Sequence, residues 1–102
     1  MRAQLIKHVK AIDELDNIIE IKIWQLPEPT KDRRHGYKYS LVYIIDDTRV
    51  IGYDNAEGKG DHIHHGELRK PYTFKDIEKL LEDFYKDIRR VKHESQKSKN
   101  RD

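Results

Sequence analysis

At 102 residues the chain is sized for a single domain. An apolar share of 35% limits its core to about one sheet face under one helix. There is no cysteine, whereas small secreted domains usually lean on disulfides, and residues 1–8 hold no apolar run long enough for a signal peptide. The expected location is therefore cytoplasmic. The longest apolar run, residues 41–45, is strand-sized, so no membrane span is expected. Twenty-one Lys and Arg against nineteen Asp and Glu leave a net charge of +2, a balance that does not announce a nucleic-acid binder.

In chain order, residues 3–12 are modestly apolar and fit an edge strand or a short helix. Ile19, Ile21 and Ile23 alternate with Glu20, Lys22 and Trp24, the period of a half-buried strand. Asp16 and Asn17 suit a hairpin turn before it, and Pro27 and Pro29 end it. Residues 30–36 form a polar, basic loop. The strongest strand pattern follows at residues 37–45: Tyr37, Tyr39, Leu41, Tyr43 and Ile45 share one face, and Val42 and Ile44 lie on the other. Residues 49–54 return as its hairpin partner through Asp46 and Asp47. All five glycines fall between Gly36 and Gly66, which marks the region of unusual backbone.

The last element is a helix. Phe74, Ile77, Leu80, Leu81, Phe84, Ile88 and Val91 recur at three- and four-residue steps, and Thr73 is the expected N-cap. The expected fold is α+β: an antiparallel meander of about four strands with one C-terminal helix packed across one face. Residues 1–92 would form one domain. Residues 93–102 would be a disordered basic tail; from Lys86 onward there are seven Lys and Arg against three acids.

The residues able to carry chemistry concentrate between positions 53 and 69. Three of the six histidines lie there (His62, His64, His65), with Lys59 between two glycines and with Asp54 and Asp61 nearby. Cleaving RNA without a metal needs a base for the 2′-hydroxyl, an acid for the leaving oxygen and a cation over the phosphate. Histidine can do either proton job near neutral pH. In an extended segment His62 and His64 share a face about 7 Å apart, and His65 points the other way. Lys59 or Arg69 would supply charge, and Asp54 or Asp61 would orient an imidazole. Against this stands the plainer reading of a solvated histidine-rich turn, or of histidines hydrogen-bonded to strand neighbours.

A metal reading uses His62 and His64 with Asp61 or Asp54, but needs a third firm ligand such as His35 from another loop. Gly58, Lys59 and Gly60 could form a small anion nest or simply a turn. Arg33 and Arg34, with Arg89 and Arg90 near the end of the helix, are the candidate RNA-backbone contacts. Tyr37, Tyr39 and Tyr43 fit the core better than base stacking. Trp24, on the polar face of its strand, fits a partner contact.

The run from Gly36 to Tyr43, the segment Gly52-Tyr53-Asp54-Asn55-Ala56 and the segment Gly58-Lys59-Gly60-Asp61-His62-Ile63-His64 together resemble the TumE-type toxin family. The resemblance spans roughly residues 36–91. It implies growth inhibition by attack on RNA and neutralisation by a helix-turn-helix antitoxin. By position the family pattern matches Asp54, Asn55, Asp61, His62 and His64, without a role for each. The leading expectation is thus a toxin acting as a metal-independent ribonuclease that needs no cofactor, with RNA and a cognate antitoxin as partners. The rival is a binding module without turnover. An exposed strand edge at residues 3–12 would allow a homodimer.

Overall fold

A computed structural model of the chain describes residues 2–31, 33–55 and 60–99, with side chains described through residue 94. Six strands form one antiparallel sheet in the order of the chain: β1 (Gln4–Ile12), β2 (Ile18–Gln25), β3 (Tyr37–Ile45), β4 (Thr48–Asp54), β5 (His62–His65) and β6 (Leu68–Pro71). One helix, α1 (Ile77–Lys99), follows. The α+β meander with a single C-terminal helix is as expected, but the sheet has six strands rather than about four. The two additional ones, β5 and β6, are four residues each, and all of β6 is exposed. Such short strands carry no alternation of apolar and polar residues to reveal them.

Residues 3–12, left open between helix and strand, are strand β1 at the sheet edge. The β1–β2 turn is held by Asp13, whose Oδ1 accepts from the Leu15 and Asn17 backbone N–H groups at 2.9 and 3.0 Å. The β3–β4 turn is Asp46-Asp47, both at positive φ (49° and 63°), the pairing that a two-residue type I′ hairpin demands. Gly66, at φ 61°, opens the two-residue turn into β6.

One sheet face is apolar because strand period two puts Ile21 and Ile23, Tyr39, Leu41 and Tyr43, Ile51 and Tyr53, and Ile63 on the same side. Helix α1 covers that face with Leu80, Phe84 and Ile88, all fully or nearly fully buried. The tyrosines of β3 are therefore core, as their spacing suggests. The helix begins later than expected. Asp76, not Thr73, is the N-cap: its Oδ1 accepts the Lys79 N–H at 2.7 Å, and its carbonyl accepts the Leu80 N–H at 3.0 Å. Phe74 consequently lies outside the helix and stacks on His35, ring centroids 3.9 Å apart. At the other end the helix runs past Lys92 to Lys99.

The face of the sheet opposite α1 has no described helix over it. Lys22 and Trp24, Lys38 and Ser40, Asp54, His62 and His64, and Arg69 all point to that side by alternation and register. No helix among the described residues is long and apolar enough to cross a membrane.

Candidate functional site

The Tyr53-Asp54-Asn55 segment splits three ways. Tyr53 points into the core, where its hydroxyl donates to Asp87 Oδ2 on the helix. Burial first, and then the Asp87 carboxylate, push this phenol far above its ordinary value, so it stays a neutral donor. Asn55, only 1% exposed, continues the pairing of β4 with β3 through its side chain. Its Oδ1 accepts from Tyr39 N–H at 3.0 Å and its Nδ2 donates to the Tyr37 carbonyl at 2.8 Å. Asp54, between them, projects to the uncovered face.

There Asp54 stands directly across from His62 in the β4–β5 register. His62 Nε2 lies 2.7 Å from Asp54 Oδ1, and His62 Nδ1 lies 3.0 Å from the Gly60 carbonyl. A carbonyl only accepts, so Nδ1 carries the proton of that contact. Nε2 lies at charge-assisted hydrogen-bond distance from the carboxylate oxygen, so a proton on that nitrogen would be shared with Asp54. His62 is thus occupied at both nitrogens, and it is 4% exposed.

His64 is the more accessible ring, with 18% of its side chain exposed and Nε2 at 3.7 Å from the other carboxylate oxygen, Asp54 Oδ2. The two imidazoles meet edge to face with centroids 4.7 Å apart. That is closer than the backbone spacing of about 7 Å suggests, so a phosphate would sit beside the pair rather than between its members. Burial, then the Arg49 guanidinium, lower the His64 pKa from 6.5, and the Asp54 carboxylate opposes them. His64 is therefore an uncharged acceptor at neutral pH.

Arg49 is the site residue that periodicity does not find. Simple alternation from Ile51, a core residue, would send position 49 to the helix side. A β-bulge intervenes: Tyr43 pairs with Ile51 but Ile44 pairs with Arg49, leaving Val50 as the extra residue. The Val50 side chain packs against the core, and Arg49 is re-aimed to the open face. It lies across Gly52, the residue paired with His64: a Cβ built on Gly52 would come within 3.1 Å of Arg49 Cδ and 3.3 Å of Nε. The missing side chain at 52 is the platform for the arginine. The signal in the sequence was Gly52 inside an otherwise regular strand. Arg69, paired with His64 from the β6 side, is exposed on the same face.

The other expected site residues go elsewhere. Asp61 does not join His62 and His64; it accepts from His35 Nε2 at 3.0 Å and from the Tyr39 hydroxyl at 2.7 Å. His35 Nδ1 accepts the Tyr37 N–H at 3.1 Å, so its proton is on Nε2, toward Asp61. His35 is committed there and is no third ligand beside His62 and His64. Arg33 is buried, with its Nε donating to the Asn55 carbonyl at 3.0 Å, which ties the basic loop to the end of β4. Arg34, next to it, is exposed. His65 points to the helix side as expected and meets Asp87 Oδ2 at 3.0 Å. Arg89 and Arg90 are exposed on α1, across the sheet from the imidazoles. Lys59 lies outside the described residues.

Asp54, His62 and His64 offer two imidazole nitrogens and a carboxylate oxygen within 4.8 Å of one another, donors of a kind a divalent cation takes. Two arginines on the same patch tilt the electrostatics the other way, toward an anion. A base, a histidine–carboxylate pair and two guanidiniums on one face are the parts that proton-coupled displacement at a phosphate requires.

Two comparisons with known proteins, against curated sequences and against solved structures, find no match. A third does: the family model described as toxin TumE matches residues 2–92.

Proposed function

Since this chain belongs to the TumE toxin family and so has a toxin's role, we propose that it exerts that role by cleaving RNA through metal-independent acid–base chemistry on the uncovered face of its sheet. The observation that carries this reading is the position of His64, held between the Asp54 carboxylate and Arg49 on a surface open to a large substrate. In the reaction the 2′-oxygen of the substrate attacks the adjacent phosphorus and its proton passes to His64. The bond from phosphorus to the 5′-oxygen breaks, and that oxygen takes the proton held between His62 and Asp54. The products are a 2′,3′-cyclic phosphate and a 5′-hydroxyl. Arg49 and Arg69 hold the charge that builds on the phosphoryl oxygens.

The division of labour differs from a symmetric pair of histidines. His62, with both nitrogens engaged, holds Asp54 and its proton in place, and His64 meets the substrate. Arg34 is a flanking phosphate contact near the end of β4. Arg89 and Arg90, on the far side of the sheet, are not needed at this centre. The partner in neutralisation is an antitoxin, proposed to be of the helix-turn-helix type. The edge of β1, where Leu5, Ile6 and Ile12 are exposed, is the surface proposed for pairing two copies of the chain.

The test is purified protein on labelled RNA, with and without chelator. Cleavage to a cyclic phosphate that survives chelation, and is lost in His64→Ala, supports the reading. Activity abolished by chelator and restored by zinc or manganese would replace it with metal-assisted hydrolysis. Salt-sensitive binding with no product would leave a binding module.

A further inference from the structure

The sheet register aligns a continuous polar row across five strands of the uncovered face: His8 pairs with Lys22, Lys22 with Ser40, Ser40 with Asp54, and Asp54 with His62. At about 4.8 Å between strands, Lys22 stands roughly 10 Å from Asp54, to one side of the imidazoles. Two residues along the strands from this row, about 7 Å away, Trp24 pairs with Lys38. The Lys38 ammonium sits 5.1 Å from the centroid of the indole ring.

We infer that the Lys22, Lys38 and Trp24 surface is a substrate subsite: a single-stranded polynucleotide crosses the sheet at right angles to its strands, with a flanking phosphate on the two lysines and a neighbouring base on the indole. This inference rests on the ribonuclease reading and adds to it the substrate class and the side from which the strand enters. The lysines supply charge matched to phosphate, and the indole offers a flat face to an unpaired base when the Lys38 ammonium lying over it turns to the phosphate. A duplex has no unstacked base to offer the indole. On the helix side several polar and ionic groups are engaged in holding the fold: His35 with Asp61, His65 and Tyr53 with Asp87, Tyr72 and Lys79 with Asp83.

Trp24 is the single tryptophan of the chain, so its emission reports directly on this contact. The experiment titrates the intact protein with a 2′-O-methyl oligonucleotide, which cannot supply the attacking hydroxyl, as a single strand and as a duplex across a salt series. Quenching by the single strand and not by the duplex is expected. Lys22→Ala and Lys38→Ala should each reduce the slope of log affinity against log salt by about 0.7. Trp24→Ala should weaken binding about 5- to 150-fold. Unquenched emission, or unchanged slopes in both lysine variants, overturns the subsite and gives this face to a protein partner. The two lysine variants keep the test decisive should Trp24→Ala fail to fold. The readout also separates the two readings. These binding signatures without cleavage of native RNA would retire the ribonuclease and keep the strand path; cleavage without them would do the reverse.

Discussion

Asp54 and His62 face each other across β4 and β5, Oδ1 to Nε2 at 2.7 Å, while the other nitrogen of the same ring is fixed by the Gly60 carbonyl. The second carboxylate oxygen of Asp54 turns toward His64. One acid therefore links a buried ring, which cannot reorient, to an accessible one, which can meet a substrate. Removing His64 should cost about 10²- to 10⁴-fold in turnover, the usual worth of a positioned proton acceptor. His64→Ala should keep the wild-type circular dichroism and melting behaviour, because the ring lies on the uncovered face. Equal growth inhibition by wild type and His64→Ala would remove the proposed centre.

Asp54→Asn separates proton transfer from shape. The amide occupies the same volume but withdraws the negative charge that raises the His64 pKa. The His64 value should fall further, and the acidic limb of the pH–rate profile should move to lower pH. Turnover at the plateau should drop, because the proton held with His62 is no longer available to the leaving oxygen.

Arg49→Gln should shift the same limb in the opposite direction. After burial, Arg49 is the next largest influence lowering the His64 pKa. Without it the folded-state value rises toward the ordinary 6.5, and the base becomes protonated at higher pH, so activity fails earlier on acidification. An unshifted limb in this variant would mean that His64 is not the group titrating in the profile.

Gly52→Ala tests the platform without touching a charged group. Gly52 has no positive φ, so a methyl group brings no backbone strain there. It would press on the far end of the Arg49 side chain, at 3.1 to 3.5 Å, and that flexible chain can swing away. Stability should hold or rise by up to about 1 kcal/mol through the loss of unfolded-state entropy. Cleavage should weaken, with the pH profile moving in the Arg49→Gln direction. Denaturant titration and the profile together check both halves.

What could be read before the structure follows from what strand and helix periods encode. Ile21, Ile23, Leu41 and Tyr43 announce their face by alternation, and Leu80, Phe84 and Ile88 announce theirs by helical spacing. The matching of Asp54 with both imidazoles is a register relation between β4 and β5, and no spacing along one strand specifies a register between two. Arg49 was hidden by the bulge at Val50, which breaks the alternation from which its face would be judged. Asp61 lies one residue from His62 in sequence, yet the positive φ of Gly60 and the edge of β5 leave it to His35 and Tyr39. Asp76 outcompetes Thr73 as cap because its carboxylate reaches the Lys79 N–H, and the expected helix start shifts by three residues.

Asn55→Ala should be the most destabilising of the substitutions around the site. The side chain satisfies the Tyr39 N–H and the Tyr37 carbonyl, both from inside the sheet. Its loss leaves the buried Tyr39 N–H without that partner, at about 1–3 kcal/mol, and removes a second bond from the part-buried Tyr37 carbonyl. It also loosens the strand end that carries Asp54 and accepts from Arg33. A large fall in the urea midpoint with an unchanged m-value is the expected result. Asn55→Asp restores the acceptor for Tyr39 but sets a carboxylate against the Tyr37 carbonyl, and should recover only part of the loss.

Acid should unfold the protein through carboxylates that anchor elements to one another. Burial works to raise Asp13, Asp83 and Asp87, yet all three are held below the ordinary value of 3.8. Asp13 is lowered chiefly by Tyr43 and the turn amides, Asp83 by Lys79 and Tyr72, and Asp87 by Tyr53 and His65. A carboxyl group with a depressed folded-state pKa contributes stability that is fully present above its unfolded value, near pH 4. That contribution disappears as pH falls through the folded-state values. Stability followed by denaturant titration should thus fall steeply below about pH 4. Asp87→Asn should be less stable at neutral pH and show a shallower decline, since the side chain that ties β4 and β5 to the helix no longer titrates. An equally steep decline in that variant would assign the acid sensitivity to the turn at Asp13 and the Asp83 pair instead.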